Sequence, residues 1–275
     1  MKLQLKHNSG FFSCCSVACY DIIKHIKQHQ SVPEVDFSKM FNTYKDFPDQ
    51  NVYNMCFKFN ESQELNVDKI SKINYSRKSL FDYKNEDLVN IDPIIQKWFN
   101  PSDSVLEYVD FFIKKYEIDM DKTLAICFRG TDKFKEIKET SYENFISRVP
   151  SIMKNENINR VFIQTDQTQF IDFFKNYYPS IPVFSIQEIP TTSSKKHLYR
   201  GVINENKVTH AQMFLAAMQI LSRCKFLINH TGNVARWIVK YRGSTENMIQ
   251  YKGNKLLCKH VLTTLQKYLF PAKGR

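Results

Sequence analysis

Apolar and basic residues alternate over Met1 to Lys6, the period-2 pattern of a short strand. The segment His7-Asn8-Ser9-Gly10-Phe11-Phe12-Ser13 reads as a turn, and from Cys14 to His29 the apolar positions recur at helical spacing. Strand, glycine-containing loop and helix in that order open a doubly wound α/β unit. Asn51 to Phe59 (NVYNMCFKF) alternates again and predicts a second strand, whereas the polar residues 60 to 84 predict no clear element. Asn85 to Phe99 and Asp103 to Tyr116 predict helices, the latter with Val105, Tyr108, Val109, Phe112 and Ile113 on one face.

Beyond residue 120 the pattern is more regular. Thr123 to Phe128 (TLAICF) is an uninterrupted apolar run, as a strand buried on both faces requires. A helix over Tyr142 to Asn155 follows, then a strand over Arg160 to Gln164 ending in Thr165-Asp166, a helix over Gln169 to Tyr178 and a strand over Pro182 to Ile186. After a polar loop at 188–200 come a helix over Thr209 to Arg223, a strand over Lys225 to Asn229 and a helix over Asn233 to Tyr241. This alternation predicts a parallel sheet covered on both faces. A length of 275 residues accommodates two packed α/β units. The acidic turn Asp119-Met120-Asp121 sets the expected boundary, with an N-terminal domain over 1–120 and a C-terminal one over 121–275.

Apolar residues make up 43% and charged residues 24% of the chain, an ordinary globular balance. The net charge of +11 first suggests a nucleic acid. Yet Lys and Arg are interspersed with Asp and Glu and no nucleic-acid motif accompanies them, so nucleic acid is not the expected partner. A solvated basic surface and a basic cleft for a phosphorylated small molecule both fit, and charge alone does not choose between them.

The seven cysteines include no Cys-x2-Cys pair and no zinc-ligand spacing, which points to a reducing compartment and no metal centre. The opening MKLQLKHNSG has no apolar stretch of signal-peptide length, and no segment reaches the roughly 20 apolar residues that span a bilayer. The expectation is a cytoplasmic protein without a transmembrane segment, a peripheral membrane association being left open. Asp119-Met120-Asp121 has the spacing of a divalent-metal clamp but precedes its strand instead of following it.

Ligands of open α/β sheets bind at the carboxyl ends of the strands. There the chain places Arg129-Gly130-Thr131-Asp132-Lys133, Thr165-Asp166-Gln167 and, directly before a helix, Asn229-His230-Thr231-Gly232-Asn233. The last segment suits a diphosphate: first-turn N–H groups lack internal partners, and the helix dipole favours negative charge. Gly232 admits close backbone approach, Thr231 adds a hydroxyl, and Arg129 offers a planar fork from a neighbouring strand. Such donors act most strongly as charge gathers on a departing diphosphate. Taken singly, Thr231-Gly232-Asn233 reads equally as a helix start and Arg129 as an ion-pair partner.

The stretch Ala125-Ile-Cys-Phe-Arg-Gly-Thr-Asp-Lys133 resembles the strand–loop motif of alpha-1,6-fucosyltransferases and the nodulation fucosyltransferases. The resemblance continues in order through Arg160-Val-Phe-Ile-Gln-Thr-Asp166, Tyr199-Arg-Gly-Val202 and Ile220 to Arg236. It implies a GT-B architecture: two Rossmann-like domains facing a cleft, a GDP-sugar donor on the C-terminal domain, a carbohydrate acceptor, inversion at the anomeric carbon, and no metal or other cofactor. By position Arg129 matches the diphosphate-holding arginine, Asp132 and Lys133 the residues that follow it, and Asp166 an acidic residue near the nucleotide. Thr165 precedes that aspartate, and Thr231 and Gly232 match a Ser-Ser pair at the phosphates, flanked here by His230 and Asn233.

The chain also departs from the family pattern. Gly130 stands where the second family arginine is expected, an expected acidic residue aligns near Ala217, and Ile137 occupies the place of the acceptor base. Glu136 and Glu139 flank Ile137, and Glu136 is taken as the candidate base, a solvated loop carboxylate being the other reading. In the first strand–helix loop, His7 and Gly10 are candidates for contact with sugar or acceptor. These departures keep a second reading open, a nucleotide-binding module without transferase activity.

Overall fold

The computed structural model describes residues 2–75, 85–130, 141–194, 203, 205–252 and 255–256. β1 (Lys2–His7) leads into α1 (Phe11–His29), which returns the chain to β2 (Glu34–Met40), parallel to β1. This βαβ unit confirms the opening expected from the pattern, but its second strand lies earlier than predicted. In EVDFSKM only Phe37 and Met40 are buried, so no alternation marks it.

The predicted strand over 51–59 is mostly a helix. The Asn51 side chain accepts the N–H of Asn54 at 3.2 Å, capping α2 (Val52–Cys56), whose Val52, Tyr53 and Cys56 turn inward with one-turn spacing. Only β3 (Phe57–Lys58) is extended. α3 (Val67–Ser71) lies in the stretch that predicted nothing. α4 (Asn85–Trp98) and α5 (Asp103–Lys115) match their predicted spans to within a residue, and β4 (Asn100–Pro101) pairs with β3.

β5 (Thr123–Phe128) is the buried strand foreseen. The helix predicted over 142–155 is two, α6 (Tyr142–Ile146) and α7 (Val149–Asn155), divided where Pro150 enters the first turn of the second. β6 (Arg160–Thr165), α8 (Thr168–Tyr177), β7 (Val183–Phe184), α9 (Lys207–Arg223), β8 (Phe226–His230) and α10 (Asn233–Arg242) follow the predicted order. β9 (Met248–Lys252) and β10 (Lys255–Leu256), not predicted, complete the sheet.

The sheet order is β10-β9-β8-β5-β6-β7, parallel except for the antiparallel β10. From β5 the chain winds outward to β6 and β7, with α6, α7 and α8 on one face. It then returns to β8 and β9, with α9 and α10 on the other. Side chains divide by the period of two. Leu124, Ile126 and Phe128 join the core beneath α6–α8, while Ala125 and Cys127 join the core that continues through α9 and α10 into the N-terminal part. The winding direction therefore reverses between β5 and β8, and such a switch point opens a crevice at the carboxyl ends of its two strands.

Candidate functional site

Register brings the strand ends together. Phe128 pairs with Thr165 and Cys127 with Asn229, so Arg129, Asp166 and Thr231, each one residue past its strand, lie side by side along the rim. Continuing the alternation by one residue places all three on the face of Cys127, Gln164 and Asn229, toward α9, α10 and the N-terminal part. Thr165 and His230 belong to the other face. The His230 ring is buried with its centroid 5.9 Å from Phe128 and 6.2 Å from Phe145. Thr165 uses its hydroxyl to accept the N–H of Gln167 at 3.0 Å, a local turn.

Arg129 is held in a defined pose. Its Nε lies 3.9 Å from Asp166 Oδ2, and Asp166 Oδ1 accepts the Gly130 N–H at 3.1 Å. The carboxylate thus binds the guanidinium and the backbone that carries it. Burial pushes the Cys127 thiol up to about 12; Asp166 adds to this and Arg129 opposes it, which sets both charges beside that side chain. Tyr44 links the site to the N-terminal part. Its buried hydroxyl accepts the N–H of Phe11, the first residue of α1, at 2.6 Å. Burial raises its pKa, and the Arg129 charge acts against that rise.

Gly130, where the resembling family carries a second arginine, has no room for a side chain as the loop stands. A Cβ there would meet Gln167 Oε1 at 2.3 Å, and that oxygen accepts the Tyr142 hydroxyl at 2.9 Å. The amide of Gln167 fills the space. Ala217 is fully buried in the core that includes α9.

Across the switch point, α10 begins at Asn233 with Gly232 as its cap. Gly232 adopts φ 144°, a region that favours glycine, and a Cβ there would meet nothing within 4 Å. Among the described residues no side chain caps the helix, and its first ladder bond runs from Arg236 N–H to Gly232 O at 3.1 Å. The N–H groups of Asn233, Val234 and Ala235 precede that ladder. The Thr231 hydroxyl at the helix mouth is buried and has no hydrogen-bond partner among the described residues. A buried hydroxyl without a partner costs about 1–3 kcal/mol, and an arriving acceptor would recover it. Asn233 is itself held from α1, its Oδ1 accepting the Ser16 hydroxyl at 3.0 Å. Together Arg129, Thr231 and the first turn of α10 form an electropositive, donor-lined corner suited to a phosphate or diphosphate.

In the first loop, His7 Nε2 lies 3.1 Å from the Ser13 hydroxyl, and Gly10 caps α1 at φ −55° with open space at its Cβ position. Asp132, Lys133 and Glu136, with Ile137, Glu139 and the Tyr199–Val202 stretch, lie outside the described residues. Tyr44, Ser16 and Gln167 were not singled out by sequence reasoning. Tyr44 lies 85 residues from Arg129, whose charge reaches it, and Ser16 lies 217 residues from Asn233, which it holds; no local pattern carries either relation. Among the described residues no three His, Cys, Asp or Glu side chains come together as a metal site, and no helix is long and apolar enough to cross a membrane.

The architecture is GT-B-like α/β, with a Rossmann-like C-terminal part and an N-terminal part carrying a single parallel βαβ unit among the described residues. The chain is similar to the crystal structure of the fucosyltransferase NodZ from Bradyrhizobium at 12% identity and a TM-score of 0.52, over 93% of this chain and 97% of that one. It is similar to NodZ alpha-1,6-fucosyltransferase co-crystallized with GDP at 12% identity and a TM-score of 0.52, over 93% and 96% of the two chains. For the same enzyme soaked with GDP-fucose the values are 13%, 0.53, 91% and 94%. No family model matches the sequence, and no curated protein matches it.

Proposed function

We propose that the protein is a glycosyltransferase that moves a sugar, fucose by its likeness to NodZ, from a GDP-sugar to a carbohydrate hydroxyl, without a metal and with inversion. The observation that carries this reading is the corner at the switch point, where Arg129 and the start of α10 flank a buried Thr231 hydroxyl that has no partner among the described residues. Bond breaking at the anomeric carbon leaves charge on the diphosphate. A guanidinium and oriented N–H dipoles already in place lower the energy of that state without reorganising. Asp166 acts through Arg129, holding the fork rather than meeting the anion.

The likeness to NodZ supports a GDP-linked donor, since NodZ was obtained with GDP and with GDP-fucose. In this reading residues 1–120 form the acceptor side, with His7 and Gly10 in the loop that opens toward it, and residues 121–275 hold the donor. Asp132 and Lys133 extend the phosphate contacts and Glu136 takes the acceptor proton. The protein acts in the cytoplasm.

Calorimetry with GDP, UDP and ADP, each with and without EDTA, tests the donor. GDP binding tightest and unaffected by EDTA is expected; preference for UDP, or loss of binding with EDTA, overturns the reading. A transfer assay with GDP-fucose and an oligosaccharide panel then separates an enzyme from a binding module, which would bind GDP and neither transfer nor slowly hydrolyse the donor.

A further inference from the structure

Two hydrogen bonds through Ser16 end at the first residue of α10, and the reaction described above makes no use of them. Lys240 Nζ donates to the Tyr75 hydroxyl at 2.8 Å and stands 4.3 Å over the Trp237 ring. Ser16 Oγ accepts the Trp237 indole N–H at 3.0 Å and donates to Asn233 Oδ1 at 3.0 Å. The ammonium and the indole N–H can only donate, and an amide oxygen can only accept. The Ser16 proton therefore goes to Asn233.

We infer that Ser16, on α1, is a positioning residue for the donor site, fixing the Asn233 amide so that its two N–H donors, and not its oxygen, are offered beside the first turn of α10. The inference rests on the reading of that turn as the diphosphate site. A free Asn side chain at a helix start can present either end of its amide. An oxygen facing a diphosphate repels it, whereas the NH2 group adds to the field of the turn. The N-terminal part thereby reaches into the donor site through one hydroxyl.

The experiment is GDP calorimetry on the whole protein and on S16A, N233A, S16A/N233A and N233D, with melting temperatures recorded for each. Ser16→Ala is expected to weaken GDP about fivefold in the wild-type background. In the Asn233→Ala background the same change is expected to cost less than twofold, because Ser16 acts through the group already removed. A hydroxyl that merely braced α1 against α10 would cost as much in both backgrounds, and that result overturns the inference. Asn233→Asp keeps the acceptor for Ser16 but replaces the NH2 donors with a carboxylate oxygen. It is expected to weaken GDP at least tenfold, and affinity equal to wild type overturns the inference even if S16A fails to fold. Wild-type protein that binds no GDP overturns the donor reading and the role of Ser16 with it; unchanged affinity in S16A overturns the role alone.

Discussion

The carboxylate of Asp166 meets Arg129 twice over: Oδ2 stands 3.9 Å from the guanidinium Nε, and Oδ1 accepts the N–H of the next residue, Gly130, at 3.1 Å. One acidic group just past β6 thus fixes both the side chain and the main chain just past the end of β5. The charge at the switch point is consequently placed by neighbouring strands and not by the flexibility of one long side chain.

Arg129→Ala is expected to weaken GDP at least tenfold, about 1.4 kcal/mol. Arg129→Lys should fall between that variant and wild type, since an ammonium keeps the charge and loses the planar fork. Calorimetry measures both, and unchanged affinity in the alanine variant would remove Arg129 from the site.

Thr231→Val separates stability from binding. The Thr231 hydroxyl is buried without a partner among the described residues. Replacing it with a methyl of similar volume is expected to raise stability by about 1 kcal/mol. The same change should weaken GDP severalfold, because the arriving phosphate loses a donor. Urea denaturation and calorimetry read the two effects, and a destabilised variant with intact binding contradicts this account.

Gly232→Ala tests the backbone alone. A Cβ at this position would touch nothing within 4 Å, yet φ is 144°. The expected loss of about 1–3 kcal/mol comes from the strained conformation and not from a clash. GDP affinity should fall with it as the first turn of α10 shifts. A melting temperature equal to that of wild type would show that the loop relaxes freely.

Lys240 makes a pH signature. Burial lowers its pKa from 10.5 to about 8, the nearby Cys19 opposing the shift and the Arg236 charge adding to it. Below about pH 8 both folded and unfolded chains hold the proton, and the folded state bears the full cost of the buried charge. Between about 8 and 10.5 the unfolded chain binds more protons than the folded one, so this group's contribution to stability rises with pH by roughly 3 kcal/mol in all. The buried thiols of Cys15 and Cys19, with raised pKa values, work in the opposite direction over part of that range. The difference between wild type and Lys240→Met isolates the lysine. Lys240→Met is expected to be the more stable protein at pH 7, with the gap closing toward pH 10, as followed by urea denaturation. A gap independent of pH refutes the assignment.

The candidate site was partly legible beforehand because strand ends are where ligands of open α/β sheets are expected. Arg129, Asp166, Thr231, Gly232 and Asn233 could be named from their places after apolar runs. His230 and Thr165 came with them for the same reason, since sequence proximity does not say which face a side chain takes. Alternation divides them: Arg129, Asp166 and Thr231 on one face, His230 among Phe128 and Phe145 on the other. Gly130 looked like a missing arginine, whereas in the folded chain Gln167 fills its space.

Local pattern determined the order of strands and helices from β5 to α10, because an apolar run such as TLAICF has few conformations that bury it without leaving backbone groups unpaired. It failed where burial is one-sided or brief, as in EVDFSKM and in the capped turn after Asn51. Only the tertiary structure decided that β5 lies between β6 and β8, that Tyr44 stands near Arg129, and that Ser16 holds Asn233. Those relations join residues tens to hundreds of positions apart. Such contacts arise from packing whole faces together, and no short stretch of chain contains the information that selects them.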